Sequence, residues 1–307
     1  MTRFTQVALA LAVLGAMAFP AQAAQRVFVA SYGSDANAGA GCLLNAPCRS
    51  FTAAHSAVDA GGEIVALDAA GYAAVTITKS VTITANPGYF AGIAASSGVA
   101  VSIATPGVNV TLRGLNLNGI GGAYGVVMTD GDRLTIENCV ISSFGADGVY
   151  VSTAVALRVM DSTIRDNVGN GIYVTSGATA SINNTRFLGN QNMSVYNHGA
   201  PIGTTTTVAI VDSVMMNNFA GAFTSAIDGA FSHTSITRTT ASNNVYGFAA
   251  EGSANSITTV SHSMATGNTA YGLYQTETAI MESQGNNTAR NNGVGNTFGT
   301  ITAAAGI

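Results

Sequence analysis

The stretch LTIENCVISSFGADGVYV, Leu134–Val151, and the stretch after it, LRVMDSTIRDNVGNGIYV, Leu157–Val174, decide the fold of this chain. Their starts are 23 residues apart. Five further segments align with these two, and they begin at Val110, Ala180, Val208, Thr234 and Thr258. A degraded copy begins near Ala279. A repeat of about 24 residues that recurs this regularly is typical of a solenoid.

Apolar side chains recur at three positions of the repeat. The first column is Leu112, Ile136, Val159, Ile182, Ile210, Ile236 and Val260. The second is Leu117, Ile141, Ile164, Phe187, Met215, Ala241 and Ala265. The third is Val126, Val149, Ile172, Val195, Ala222, Phe248 and Leu273. Local alternation with period two predicts short strands that turn every second side chain inward.

Three strands and no helix per repeat predict an all-β fold, a single-stranded right-handed parallel β-helix of about 8–10 coils. The coils must stack, because no single coil can bury its own apolar face. At about 4.8 Å per coil the rod would be roughly 45–50 Å long.

An asparagine column falls three residues after the second apolar column, at Asn167, Asn190, Asn218, Asn244, Asn268 and Asn291. Stacked amides can bond to neighbouring turns through both ends. Alternatively, Asn only tolerates left-handed turn geometry. We favour the ladder because six copies keep the residue. A glycine column marks the start of the third strand, at Gly125, Gly148, Gly171, Gly221, Gly247 and Gly272.

The ends of the chain differ from the repeats. Residues 1–23 are predicted to be a signal peptide, with an apolar run Val7–Phe19 before an A-x-A cleavage pattern at Ala21–Ala23. This run is too short to span a bilayer, and no other stretch of the sequence is long and apolar enough to be a membrane span. We expect a secreted, periplasmic or cell-surface protein, with residues 24–62 as an N-terminal cap that includes a short capping helix from Ser50. The β-helix then covers 63–291, and 292–307 form a C-terminal cap or tail.

The three cysteines and the low content of charged residues limit the kinds of site and partner that the sequence predicts. In an exported chain, Cys42 and Cys48 are predicted to form a disulfide, while Cys139, at an apolar repeat position, is read as a buried small hydrophobe. Charged residues are 8% of the chain and Lys79 is the only lysine. This argues against nucleic-acid binding, which needs clustered Lys and Arg. A monomer without a cofactor is expected.

The region from Val29 to Tyr72, followed by repeats with Asn and Gly-Val/Ile-Tyr-Val steps, resembles the pectin-lyase-like right-handed β-helix superfamily. The residues that carry this resemblance before the repeats are Gly33–Asp35, Asn37, Gly39, Pro47, Phe51, Ala57, Asp59, Ile64, Leu67 and Gly71–Tyr72. The superfamily includes pectate, alginate and chondroitin lyases, polygalacturonases, epimerases and adhesins. The resemblance therefore implies the fold and leaves the activity open.

The sequence offers only scattered candidates for catalysis. Lyases of this superfamily use Lys or Arg as a base, often with Ca²⁺, but Lys79 reads as a solvated strand residue. Loops expected at Asn197–Thr207 and Thr224–Ser232 would bring His198, Asp228 and His233 to one side of the rod. Asp130 and Asp132 could hold Ca²⁺, although an isolated DxD is more often a polar turn.

The more specific surface feature is aromatic. Outward positions next to the third apolar column carry Tyr150, Tyr173, Tyr196, Phe223 and Tyr274. A flat tyrosine platform can stack on sugar rings; the alternative is a ladder of rings that stack on each other. Two functional hypotheses result. One is an exported, non-catalytic protein that contacts polysaccharide or cell-surface glycans through this stripe. The other is a polysaccharide lyase or hydrolase with an atypical active site.

Overall fold

The computed structural model describes residues 25–304, so the predicted signal peptide lies outside the described residues. Within that range 32 strands and two short helices form a parallel β solenoid. The strands form three sheets, and each coil contributes one strand to each sheet in turn.

The first sheet has 12 strands and the other two have 10 each. The first contains Arg26–Val29, Gly62–Ala66, Val81–Ala85, Asn109–Arg113, Arg133–Glu137, Ala156–Met160, Thr179–Asn183, Thr205–Val211, Phe231–Thr237, Ser256–Ser261, Ile280–Ser283 and Ile301–Ala303. The second contains Ala70–Gly71, Ala91–Ala94, Leu115–Asn118, Val140–Ser142, Thr163–Arg165, Arg186–Leu188, Val214–Met216, Thr240–Ser242, Met264–Thr266 and Thr288–Arg290. The third contains Val75–Ile77, Val99–Ala104, Tyr124–Asp130, Val149–Val151, Ile172–Val174, Met193–Gly199, Ala220–Ala226, Tyr246–Gly252, Tyr271–Gln275 and Gly295–Phe298.

The three predicted apolar columns are confirmed, one in each sheet. Ile136 pairs with Leu112 on one side and Val159 on the other. Ile141 lies between Leu117 and Ile164 in the second sheet. Every member of the three columns is buried, and together they line the interior of the coils. The core is therefore one continuous column of side chains rather than a single central cluster.

The N-terminal end is closed by a compact segment. A 3-10 helix, Asp35–Ala40, and an α-helix, Phe51–Ala57, precede the second strand of the first sheet. The Ser50 side chain caps the α-helix by accepting a hydrogen bond from the Ala53 N–H. The predicted disulfide between Cys42 and Cys48 is present, and Phe51 packs on the buried Tyr72 ring at 5.0 Å.

The asparagine ladder is confirmed, with one correction at its end. Each side-chain amide nitrogen donates to the side-chain oxygen of the next rung over 2.8–3.2 Å. The last rung is Asn292, not Asn291, because Asn268 donates to Asn292. The residue before each rung adopts the left-handed conformation, as Asn217 does with φ 59°. Left-handed geometry and ladder bonding therefore fall on adjacent positions.

A second ladder, of hydroxyl groups, runs along the corner between the first and second sheets. Its side-chain rungs are Ser162, Thr185, Ser213, Thr239 and Ser263. Each hydroxyl donates to the carbonyl two residues earlier. All but that of Thr185 also accept a hydrogen bond from a backbone N–H of the preceding coil, as Ser213 does from Thr185. Cys139 occupies the same position, buried, with its thiol 3.3 Å from the Glu137 carbonyl. Cys139 is thus the sulfur-bearing first member of this ladder.

The glycine column marks the closest approach between coils. A Cβ placed on Gly221 would lie 2.4 Å from the Gly247 carbonyl oxygen, and one on Gly148 would lie 2.7 Å from that of Gly171. The fourth coil carries Ser194 at this position, fully buried and without a partner for its hydroxyl among residues 25–304. Ser194 is therefore a local defect in the repeat.

Strands extend further than the sequence indicated at three places. The expected loops Asn197–Thr207 and Thr224–Ser232 shrink to 200–204 and 227–230, because the flanking strands lengthen and pair. Beyond the predicted boundary at 291, Gly295–Phe298 and Ile301–Ala303 continue the third and first sheets. No helix among residues 25–304 has the length and apolar character needed to cross a membrane.

Candidate functional site

Aromatic side chains follow one another along the outer face of the third sheet. Tyr150 pairs in register with Tyr173, Tyr173 with Tyr196, and Tyr196 with Phe223. The ring centroids of successive members lie 5.2, 4.9 and 5.7 Å apart. Tyr124 extends the column by contacting Tyr150 at 5.8 Å. The predicted stacking on consecutive coils is confirmed, and the strand spacing of about 4.8 Å sets its period.

The rings pack against one another at different angles. The planes of Tyr173 and Tyr196 differ by only 11°. Tyr150 and Phe223 meet their neighbours edge-on, at 67° and 85°. Of the two interpretations of the column, self-stacking describes the ring geometry. A tyrosine platform for sugars, and carbohydrate binding by this column, stay predictions.

A second aromatic group continues the face toward the C-terminal end. It comprises Phe219, Tyr246, Tyr271, Tyr274 and Phe298. Tyr196, Tyr246 and Tyr274 all pack against a small apolar cluster of Ala220, Phe223 and Ala249, which joins the two groups. Tyr246 and Tyr271 were missed because they occupy a different outward position of the repeat. Their 25-residue spacing was the available signal.

Three tyrosine hydroxyls of the column make no hydrogen bond. Those of Tyr124, Tyr150 and Tyr173 have no partner within residues 25–304, whereas the Tyr196 hydroxyl bonds to Ser225. Burial, with added repulsion from neighbouring Tyr196 and Tyr150, raises the pKa of Tyr173 to about 12. The Tyr173 hydroxyl therefore keeps its proton at neutral pH. The column presents half-buried ring edges together with hydroxyl groups that can donate and accept.

A polar cluster stands beside the column. Ser225 Oγ lies 2.9 Å from His198 Nδ1 and 3.0 Å from the Tyr196 hydroxyl. The Tyr196 hydroxyl is also 3.3 Å from His198 Nδ1. His198 pairs in register with Ser225, and Ser225 with Glu251. The sequence singled out His198 but not Ser225, because one hydroxyl in a serine-rich chain carries no signal until the register is known.

The electrostatics of this cluster follow from its partial burial. Burial lowers the pKa of His198, so the imidazole is neutral at pH 7. Burial also raises the pKa of Tyr196; the hydrogen bond with Ser225 opposes that shift and the Glu251 charge adds to it. None of the ten strands of the third sheet, all of which lie within residues 25–304, contains Lys or Arg. This face is therefore neutral to acidic.

The other two weak catalytic candidates lie elsewhere. His233 is exposed on the first sheet, and Asp228 is exposed in the turn 227–230. The chain turns a corner between His198 in the third sheet and these residues. The prediction that all three share one side is wrong for His233. The buried Asn197 crosses that corner instead and donates to the His233 carbonyl over 2.9 Å.

The candidates for lyase chemistry are engaged or dispersed. The Lys79 ammonium donates to the Val58 carbonyl over 2.5 Å, at the C-terminal end of the capping helix. Asp130 accepts a bond from the Gly131 N–H, and no group of three or more His, Cys, Asp or Glu in residues 25–304 is arranged to hold a metal. The calcium prediction for Asp130 and Asp132 stays a prediction. Arg133 and Arg158 lie in strands of the first sheet, not beside the aromatic face.

A groove of about 690 Å³ lies on the first sheet, away from the aromatic face. Arg26 pairs with Glu63 at 2.7 Å and Arg113 with Glu137 at 2.8 Å along it. Phe28 and Tyr89 contribute apolar surface. Because both arginines are already paired, the groove offers no free cation for an acidic sugar, and we place the candidate site on the third sheet.

Comparison with known proteins agrees with this architecture. Residues 97–294 match the family described as the right-handed β-helix region. The chain belongs to this right-handed β-helix family. No curated protein matches the chain.

Solved structures similar to this β-helix protein come from carbohydrate-acting proteins. It resembles pectate lyase Pel9A, with 18% identity and a TM-score of 0.64 over 92% of this chain and 79% of the lyase. It also resembles an alginate lyase from Paenibacillus sp. str. FPU-7, with 14% identity and a TM-score of 0.59 over 90% and 99% of the two chains. XylC in complex with xylose gives 10% identity and a TM-score of 0.57 over 89% and 70%. At these identities the likeness establishes the fold alone.

Proposed function

We propose that this β-helix protein is exported and binds polysaccharide along the outer face of its third sheet. The observation that carries the proposal is the aromatic column from Tyr124 to Phe223, continued by the group around Tyr274. Side chains with an apolar edge and a hydroxyl suit sugars, which present C–H patches between hydroxyl groups. The column's period is close to the rise per residue of an extended β-linked glycan, so successive sugars can meet equivalent rings.

The charge of the face favours a neutral polysaccharide. Glu251 lies within the third sheet. A second carboxylate, the buried Asp147, lies just before a strand of the same sheet and accepts two hydrogen bonds from Asn170. Uronate polymers would meet these carboxylates without a compensating Lys or Arg in the strands of that sheet. The structurally similar pectate and alginate lyases are named for acidic polymers, whereas the polymer proposed for this protein is neutral.

One observation supports export. Cys42 and Cys48 form a disulfide, which persists in oxidising compartments. The proposed signal peptide at 1–23 would deliver the chain there.

The test is affinity electrophoresis in gels containing neutral polysaccharides such as xylan, β-glucan and mannan, with pectate and alginate as acidic comparisons. Wild type should be retarded by a neutral polymer. The double variant Tyr150→Ala/Tyr173→Ala should lose most of the retardation, since stacked aromatics contribute about 1 kcal/mol or more each to such contacts. Tyr32→Ala is the matched control, because Tyr32 is 70% exposed and lies in the N-terminal segment.

Folding is checked on the same samples by thermal melting. Tyr173→Phe keeps the ring packing and removes only the hydroxyl, so it separates lost binding from lost structure. The chain contains no tryptophan, and seven of its ten tyrosines lie on this face, so quenching of tyrosine fluorescence reports mainly on it. The proposal fails if no polymer retards the wild type, or if the folded double variant binds as wild type does.

A further inference from the structure

The hydrogen bonds of Tyr196, His198 and Ser225 form a closed triangle on the outer face of the third sheet. All three side chains come from two adjacent strands held in register. The strand Met193–Gly199 supplies two of them at alternate positions, and Ala220–Ala226 supplies the third. Side chains on paired strands are positioned more firmly than side chains on loops, which suits them for chemistry.

In one arrangement of the protons, each of the two hydroxyl groups donates a single hydrogen bond. Ser225 Oγ–H donates to His198 Nδ1, and the Tyr196 hydroxyl donates to Ser225 Oγ. His198 must then carry its own proton on Nε2. This is the relation between a serine nucleophile and an imidazole base, in which the base accepts the proton as the oxygen attacks. The neutral state of His198 at pH 7, caused by burial, is the state that a general base requires.

We infer that Ser225 and His198 hydrolyse ester substituents, such as O-acyl groups, on a neutral polysaccharide. The choice of polysaccharide rests on the proposed binding function, whereas the chemistry rests on the triangle alone. The cluster adjoins the aromatic column, since the Tyr196 ring centroid lies 5.4 Å from that of His198. A glycan held along the column would bring its substituents to Ser225.

The reaction proceeds in two balanced halves. Ser225 Oγ attacks the acyl carbonyl carbon and its proton passes to His198 Nδ1. The tetrahedral intermediate collapses, the sugar oxygen leaves with the proton from His198, and the acyl group remains on Ser225. A water molecule then attacks this ester and gives one proton to His198, which returns it to Ser225 Oγ as the carboxylic acid departs. The Tyr196 hydroxyl, released from Ser225 Oγ, can donate to the oxyanion in both halves.

The neighbourhood of the cluster favours ester hydrolysis over β-elimination of a uronate. Elimination requires a cation or acid to neutralise the sugar carboxylate, and the third-sheet strands contain no Lys or Arg. Glu251, in register with Ser225, would repel a uronate further. A neutral ester meets no such penalty, and its departing acid would be repelled as it ionises.

The experiment uses the mature chain and a fluorophosphonate probe, which forms a covalent adduct only with an activated serine. Mass spectrometry of the peptides should locate the adduct on Ser225. Ser225→Ala should remove the adduct, and Ser181→Ala, an exposed serine of the first sheet, should leave it unchanged. Hydrolysis of p-nitrophenyl acetate should fall on the order of 10²–10⁴-fold in His198→Gln. In Tyr196→Phe it should fall about 10²-fold if the hydroxyl serves the oxyanion.

Two readouts keep this inference separate from the binding proposal. The probe and the small ester need no polysaccharide, so an adduct on Ser225 without glycan retardation supports the chemistry and overturns the binding. Retardation without an adduct, and without release of acetate from acetylated xylan, overturns the chemistry alone. The rate should also fall with decreasing pH as His198 gains a proton, and a rate independent of pH between 8 and 5 would contradict the base role.

Discussion

The side-chain amide of Asn190 donates to the side-chain oxygen of Asn218 over 3.0 Å, and the Asn190 backbone N–H donates to the same oxygen over 2.9 Å. One acceptor thus satisfies two donors of the preceding coil. Both residues are buried, so neither donor has access to water. The ladder is therefore an obligatory part of the turn between the second and third sheets.

Asn218→Ala should destabilise the protein strongly. It leaves the buried Asn190 backbone N–H without an acceptor, at about 1–3 kcal/mol, and removes one of the two hydrogen bonds that the Asn190 side-chain amide donates. Urea unfolding followed by circular dichroism measures the loss. Asn217→Gly is the matched control, because Asn217 is exposed and its φ of 59° suits glycine. Equal stability of the two variants would show that the ladder contributes nothing.

Two buried serines should respond to alanine in opposite directions. Ser194→Ala removes a hydroxyl that has no partner, and should raise stability by about 1 kcal/mol. Ser213→Ala removes a rung of the hydroxyl ladder and strips the Thr185 N–H of its acceptor, so stability should fall by about 1–3 kcal/mol. Melting temperatures of both variants against wild type decide the matter. A loss of stability in Ser194→Ala would show that its hydroxyl has a partner after all.

Cys139 should be inert in the folded protein. Burial raises the pKa of its thiol to about 11, and hydrogen bonds with the backbone of Leu115, Glu137 and Gly114 only partly oppose the shift. Iodoacetamide at pH 8 should leave Cys139 unmodified until denaturant is added, as intact mass will show. Cys139→Ser should be tolerated because serine occupies this position in the next coil, at Ser162. Rapid alkylation of native protein would contradict the burial.

The N-terminal segment should weaken in mild acid. Burial, and then the charge of Lys79, lower the pKa of His55, and its Nε2 accepts a bond from the Thr78 N–H over 2.9 Å. Since the folded pKa lies below the unfolded value of about 6.5, stability is complete above that pH and is lost as pH falls further.

Thermal melting at pH 7.5 and pH 5 measures the effect of His55. The difference between the two conditions should be smaller in His55→Gln than in wild type. His233→Gln serves as the comparison, because His233 is exposed on the first sheet and lies in another part of the rod. An unchanged pH difference in His55→Gln would remove His55 as the cause.

The repeat alone predicted most of the architecture. Periodic apolar residues such as Ile136 and Val159 define the register because stacked coils must bury equivalent positions together. The hydroxyl ladder escaped prediction, since its mixture of Cys, Ser and Thr shows no conserved residue type. Strand ends near His198 also escaped it, because pairing between coils overrides the local preference of Gly199 for a turn.

The candidate site was only partly visible in the sequence. The column of Tyr150, Tyr173 and Tyr196 followed from the period. The tilt of the rings did not, because it depends on packing between neighbours. Ser225 became a candidate residue only when the structure placed it in register with His198.

The defect at Ser194 bears on how the gene can change. Each coil bonds only to the coil before it and the coil after it, so duplicating one 23-residue unit such as 134–156 lengthens the rod without demanding a new interior. A unit that carries a mismatch such as Ser194 is a poor template for copying, while its neighbours tolerate it where it stands. Tandem duplication and deletion should therefore be favoured among coils that keep glycine at this position, such as those of Gly125, Gly148 and Gly171.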